Sequence, residues 1–167
     1  RVAMIRLRVA NSEDTEMLER QANGAVSYIW VNDPDNLVFA MKAAIERGDS
    51  LAMQCDRFEF SSRTEAFDFL GARRVFPFTI YHLAVLFHRP VVFCLGLPDG
   101  RGGTTVVAPP VFRPEATASR EENFRRAREH FQDVLRRLES LVRQHPLLWF
   151  NFLPLNPEAG QTTGTAG

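Results

Sequence analysis

Ser50-Leu51-Ala52-Met53-Gln54-Cys55-Asp56-Arg57 is the stretch whose reading decides the fold. An apolar run that closes on an acid and an arginine reads as a buried strand with two charged groups just past its carboxyl end. In open α/β sheets that edge is where ligands bind. Upstream, Arg1 to Val9 has the partial alternation of a strand, and Asn11-Ser12-Glu13-Asp14 offers capping residues for a helix over 12–23 that stops at Gly24. Val26 to Val31, rich in β-branched and aromatic residues, is a second strand. Asp33-Pro34 opens the next helix, and Leu37, Met41, Ala44 and Ile45 recur at helical spacing until Gly48. The order β-α-β-α-β predicts a mostly parallel β-sheet flanked by helices.

Downstream, residues 58–68 read as a loop, Phe67 to Gly71 as chain that returns under apolar cover and turns at the glycine, and residues 78–88 as a short helix built on Tyr81, Leu83, Ala84 and Phe87. Val91-Val92-Phe93-Cys94-Leu95 reads as a further buried strand. Pro98-Asp99-Gly100-Arg101-Gly102-Gly103 is a turn, with Thr104 to Ala108 as its hairpin partner. A long amphipathic helix is predicted from Ser119 to Gln144, with Phe124, Ala127, Phe131, Val134, Leu135, Leu138, Leu141 and Val142 on one face. An apolar end piece, Pro146 to Phe152, follows it. The expected organisation is one α/β domain over 1–152 with a flexible tail over 153–167, and the abrupt opening on a strand pattern suggests a portion of a longer protein, with a fused domain upstream.

Composition narrows the function classes. With 45% hydrophobic and 24% charged residues the chain can bury a core, and its zero net charge argues against generic nucleic-acid binding. All basic residues but Lys42 are arginine, and they favour the second half, where an acidic partner would find them. Cys55 and Cys94 lie in apolar runs without metal-ligand spacing, which predicts reduced, buried thiols and suits a cytoplasmic protein. The apolar stretch Val75 to Phe87 falls well short of the roughly 20 residues that a spanning helix needs. The chain is therefore expected to be soluble, or at most peripheral at the inner membrane.

Several chemistries are absent from the pattern. No G-x-G-x-x-G or Walker sequence follows a strand, and Gly100 to Gly103 leads into a strand, so no nucleotide cofactor is expected despite the β-α-β rhythm. No metal is expected, because His82, His88, His130 and His145 lack second ligands at zinc spacing; His82 reads as a satisfied core or boundary residue of its helix. No G-x-S-x-G elbow is present. Asp56-Arg57 remains, either as a site or as an ion pair that closes a strand.

Taken in order, Asp56-Arg57, Phe69-Leu70-Gly71, Phe76-Pro77, Leu83-Ala84, Pro90-Val91-Val92, Leu138-Glu139 and Trp149-Phe150-Asn151-Phe152 resemble the bacterial lipid A late acyltransferases and their soluble relatives in the lysophospholipid acyltransferase-like superfamily. The resemblance implies transfer of a fatty acyl chain from an acyl carrier protein thioester to a hydroxyl of a lipid or polyketide-like acceptor. The base in that family is the histidine of a His-x4-Asp or His-x4-Glu dyad, which takes the proton of the attacking hydroxyl. Five positions after the four histidines here stand Phe87, Phe93, Leu135 and Phe150, so the dyad is not in this sequence and no catalytic residue is assigned. The resemblance puts Asp56 and Arg57 near the acceptor or the thioester carbonyl, and Phe69, Gly71, Phe76 and Pro77 along an acyl groove. On charge alone, Arg73, Arg74 and Arg89 are candidates for docking the acidic carrier protein, with plain solubility as the other reading. The alternative to an enzyme portion is a non-catalytic module that binds the carrier or the acyl chain.

Overall fold

The computed structural model describes residues 1–6, 17, 23–32, 34–55, 61 and 63–149. The chain divides into two compact units, Arg1–Cys55 and Asp56–Gly167.

The first unit holds a three-stranded parallel sheet of β1 (Val2–Arg6), β2 (Val26–Trp30) and β3 (Ser50–Ala52), in the order β2-β1-β3. Ala3 of the central strand is buried, and the helix α1 (Pro34–Glu46) buries Met41, Ala44 and Ile45 at the spacing predicted for it. The Gly48 stop takes a definite form. The amide of Asp49 donates to the Ala44 carbonyl at 2.9 Å and that of Gly48 to Ile45 at 3.0 Å, with Gly48 at φ +82°, a Schellman closure that needs the missing Cβ. The helix expected over 12–23 lies almost wholly outside the described residues, of which Met17 alone is helical.

The second unit opens with an antiparallel hairpin of β4 (Thr64–Phe69) and β5 (Ala72–Pro77). Residues 64–68, read from sequence as loop, are strand. Thr64-Glu65-Ala66-Phe67-Asp68-Phe69 alternates, with Phe67 and Phe69 buried and the polar residues between them outside, but its Glu, Ala and Asp weaken the β signal. The turn of the hairpin is Leu70-Gly71, with φ +51° and +78°, the two positive values that a type I′ turn requires. Helix α2 (Thr79–Phe87) follows, then a single antiparallel bridge between Val91 and Phe112. A second hairpin pairs β6 (Leu95–Pro98) with β7 (Thr104–Val107) around a loop in which the Asp99 carboxylate accepts from the amides of Arg101 and Gly103, both at 2.8 Å.

Two expectations are corrected here. Val91 to Leu95 is not a buried central strand. Val91 is buried, but Val92 is 52% exposed and Cys94 is exposed, so the run alternates as half-buried chain does, and Cys94 is no core thiol. The two strands of each hairpin pair antiparallel, because a parallel crossover needs a dozen or more residues and these turns are far shorter. The fold is mixed α/β, with one small parallel sheet and two antiparallel hairpins among the described residues.

The long helix α3 (Arg120–Gln144) forms as predicted, the Ser119 hydroxyl accepting from the amide of Glu122 at 3.1 Å. Its buried Ala127, Phe131, Val134 and Leu135 complete a core with Phe67, Phe69, Phe76, Phe78, Tyr81 and Phe112. Phe131 is the hub. Its ring stands edge-on to Phe67 at 4.9 Å and to Phe76 at 6.0 Å, and stacks on Phe93 at 5.5 Å. A 3-10 turn, Pro146–Leu148, ends the described chain just before Trp149.

Candidate functional site

Two members of the series, Phe69-Leu70-Gly71 and Leu138-Glu139, meet where α3 lies along the outer edge of β4. An unpaired strand edge exposes backbone donors and acceptors, and α3 satisfies them with polar side chains. The Gln132 amide spans Asp68, accepting from its N–H at 3.0 Å and donating to its carbonyl at 2.9 Å. About two helical turns on, the Glu139 carboxylate accepts from the Leu70 N–H at 3.0 Å, inside the I′ turn. Arg128 grips Glu65 with two bonds of 2.6 and 2.9 Å. Arg143, and then the Leu70 amide, hold the Glu139 carboxyl below the usual carboxylate range. Phe69-Leu70-Gly71 and Leu138-Glu139 are thus one contact in the folded chain.

Phe69 and Phe76, at 1% and 0% exposure, are packed edge to face in the core with buried Pro77 beside them, while Gly71 stands exposed in its turn. Trp149 covers Phe69, ring edge to face at 5.5 Å. Beyond Trp149 opens a cavity of about 200 Å³, walled by Leu95, Leu97, Leu138, Leu141, Val142 and Leu148, with Cys94 and His145 among its lining. Of the site residues named from sequence, Phe69 touches Trp149, which lines the cavity, while Phe69, Gly71, Phe76 and Pro77 are not themselves among the lining residues. Arg73 pairs with Asp68 at 3.3 Å across the exposed hairpin, and Arg74 donates to the Phe69 carbonyl at 3.0 Å. Arg89 is exposed, just after the left-handed residue His88 that ends α2. Arg73 and Arg74 are neighbours on β5, and Arg89 follows α2. Asp56 and Arg57 lie outside the described residues.

A second, larger cavity of about 440 Å³ is lined by Pro109, Pro110, His130, Asp133, Arg137 and Ser140, among others. His130 is held at both nitrogens. Nε2 lies 2.6 Å from the Pro110 carbonyl, which can only accept, so it carries a proton. In the neutral ring Nδ1 then accepts from the hydroxyl of buried Tyr81, also at 2.6 Å. That arrangement leaves His130 as a tie between α2, α3 and the 109–112 segment, with neither nitrogen turned to the cavity. His82 is half-buried, as read from sequence, its ring 4.6 Å from Phe124; burial first, and then Arg63, push its imidazole below the usual histidine value.

Sequence reasoning missed Asn123, the one buried polar side chain of the described core. Its Oδ1 accepts from the Glu115 amide at 2.8 Å and its Nδ2 donates to the Glu115 carbonyl at 2.9 Å, fixing the approach to α3. A polar residue on an otherwise apolar helix face, four after the cap, was the available signal. Among the described residues no group of histidine, cysteine and acidic side chains could hold a metal ion, and no helix is long and apolar enough to cross a membrane.

No protein-family model matches the chain, and no curated protein matches it.

Proposed function

We propose that this chain is the acyl-handling portion of an acyltransferase, one that moves a fatty acyl group from a carrier-protein thioester to the hydroxyl of a lipid-like acceptor. The observation that supports the reading is the apolar cavity beside Trp149. Its wall includes Leu138 and Trp149, and Trp149 backs onto Phe69, all three from the series that resembles the acyltransferases. At about 200 Å³ the cavity is smaller than the roughly 300–1,000 Å³ of drug-sized pockets, a size that suits part of an alkyl chain better than a whole lipid. Burial of each methylene there would contribute about 0.8 kcal/mol. An acyltransferase-like architecture, with a sheet more fully parallel than the three described strands, belongs to the same proposal, as do Asp56 and Arg57 near the reacting ester and Arg73, Arg74 and Arg89 on the carrier-facing side.

A second reading, a module that binds an acyl chain or its carrier without transferring it, is favoured by one fact: no histidine of the sequence has an acid five positions on. Both readings need the cavity to take an alkyl chain. A fluorescent fatty acyl thioester should bind the purified chain saturably, and Leu141→Glu, which sets a charge in the cavity wall, should weaken binding at least about tenfold with little change in the melting temperature. Binding that ignores Leu141→Glu, or no saturable binding, removes the support. Transfer to an added alcohol separates the two readings, and the isolated chain is expected to show none.

A further inference from the structure

The first turns of α2 and α3 meet in a cluster that neither the acyl cavity nor the strand edge uses. The His82 ring packs against Phe124 at 4.6 Å and edge-on to Phe78 at 5.8 Å. The Arg120 guanidinium lies over the Phe124 ring at 5.5 Å, and that of Arg128 over the Phe78 ring at 6.0 Å. Arg63 is anchored alongside, its carbonyl accepting from the Phe78 amide at 2.8 Å, and the hydroxyls of Ser61 and Thr79 share a hydrogen bond of 2.7 Å at the start of α2. Phe78 supplies no side-chain cap at the start of α2, where its carbonyl accepts from the Tyr81 amide at 3.1 Å and from the His82 amide at 3.3 Å.

The charge balance of this cluster is one-sided. Arg63, Arg120 and Arg128 all disfavour the His82 cation, and Glu65 is the acid that counters them. Glu65 is already engaged by both of the Arg128 bonds. Arg63 and Arg120 are exposed, and neither makes an ion pair with another described residue. Two exposed forked cations beside a half-buried imidazole, with Arg120 and His82 both packed on the Phe124 ring, match the charge and planar donor geometry that phosphate oxygens select.

We propose that Arg63, His82 and Arg120 form a phosphate-binding site at the junction of α2 and α3. Its ligand is a phosphate group with at least one free anionic oxygen, carried by a soluble ester or by a lipid headgroup. On binding, the two guanidinium groups bond to the oxygens and the imidazole takes up a proton to donate a third bond. The site stands apart from the acyl cavity, and the inference does not rest on the acyltransferase reading.

The test follows the His82 ring proton resonance of the whole chain, assigned with His82→Asn, as inorganic phosphate is added. The expected result is a saturable shift and a rise in the pH at which His82 titrates. Arg63→Gln/Arg120→Gln should weaken phosphate at least about tenfold, while Arg136→Gln/Arg137→Gln, which removes equal charge elsewhere on α3, should leave it unchanged. Arg63→Lys/Arg120→Lys, which keeps the charge and loses the fork, should fall between. Phosphatidylcholine vesicles with and without phosphatidylglycerol distinguish the sources: sedimentation with the anionic vesicles that is lost in Arg63→Gln/Arg120→Gln assigns a headgroup, and a response to phosphate alone assigns a soluble ester. An unmoved His82 resonance together with no vesicle binding overturns the proposal. So does equal weakening by the two glutamine pairs, which would mean that only net charge is felt.

Discussion

Replacing Phe131 by alanine should cost the second unit a large part of its stability. The ring is 1% exposed and meets Phe67, Phe76, Phe78, Tyr81 and Phe93 at centroid distances between 4.9 and 6.1 Å. Truncation of a buried phenylalanine costs about 3–5 kcal/mol through lost transfer energy and the cavity left behind. Two edge-to-face contacts, each adding roughly 0.5–1.5 kcal/mol beyond area, place this site toward the upper end. The neighbours offer little relief. They are themselves large rings on β4, β5, α2 and the segments on either side of α2, and collapse onto the void would strain all of them. Against a total of about 5–15 kcal/mol for a domain, a loss near 4 kcal/mol corresponds to roughly 10–20 °C in Tm. Urea unfolding followed by circular dichroism reads it as a fall in midpoint at constant slope. Phe131→Leu, which refills much of the space, should recover about half. Leu86→Ala, at a side chain 64% exposed, should change stability by less than about 0.5 kcal/mol. A Phe131→Ala loss below about 1.5 kcal/mol, or one no greater than that of Leu86→Ala, would refute the hub.

Gly71→Ala should destabilise by about 1 kcal/mol although nothing crowds the added Cβ, because its φ of +78° strains any side chain; an unchanged urea midpoint would remove the I′ turn from the argument. Asn123→Ala should cost about 1–3 kcal/mol by orphaning the Glu115 amide and carbonyl, and Asn123→Asp, which keeps the acceptor and loses the donor, should recover part of it. Acid should act through Glu139. Its carboxyl titrates below its usual value in the fold, so its stabilisation is complete above the unfolded value and fades as pH falls through the folded one; Glu139→Gln should flatten that limb of the stability curve. His82, also depressed, is protonated more readily in the unfolded chain, so stability drops as pH falls from above about 6.5 through its folded value, and His82→Asn should lessen the drop.

The periodic parts of the fold were legible because one residue spacing fixed one face. Met41, Ala44 and Ile45 named the buried side of α1, and Ala127, Phe131, Val134 and Leu135 that of α3, with Ser119 and Gly48 marking ends by capping chemistry alone. The strands were harder. In β4 the apolar signal is two phenylalanines among weak β-formers, and the run 91–95 looks continuous in sequence while its side chains alternate in space. Pairing direction hinged on turns rather than strands: once Leu70-Gly71 is read as a complete two-residue connection, β4 and β5 can only be antiparallel.

The described residues of the series have structural roles that the resemblance did not name. Phe69, Gly71, Phe76 and Glu139 each have a full structural reason to be the residue they are: two core rings, a left-handed turn position and a carboxylate on the turn amide. An ordered series of such residues can therefore resemble a family through the demands of folding, before any chemistry is considered. What distinguishes function from scaffold is a residue whose removal changes binding while stability holds. By that criterion Gly71→Ala and Glu139→Gln should move the unfolding midpoint and leave acyl-thioester affinity within about twofold, while Leu141→Glu should do the reverse. If the turn variants weaken acyl binding as much as Leu141→Glu while the chain stays folded, Phe69-Leu70-Gly71 reaches the ligand after all, and the cavity beside Trp149 is only one end of a longer groove.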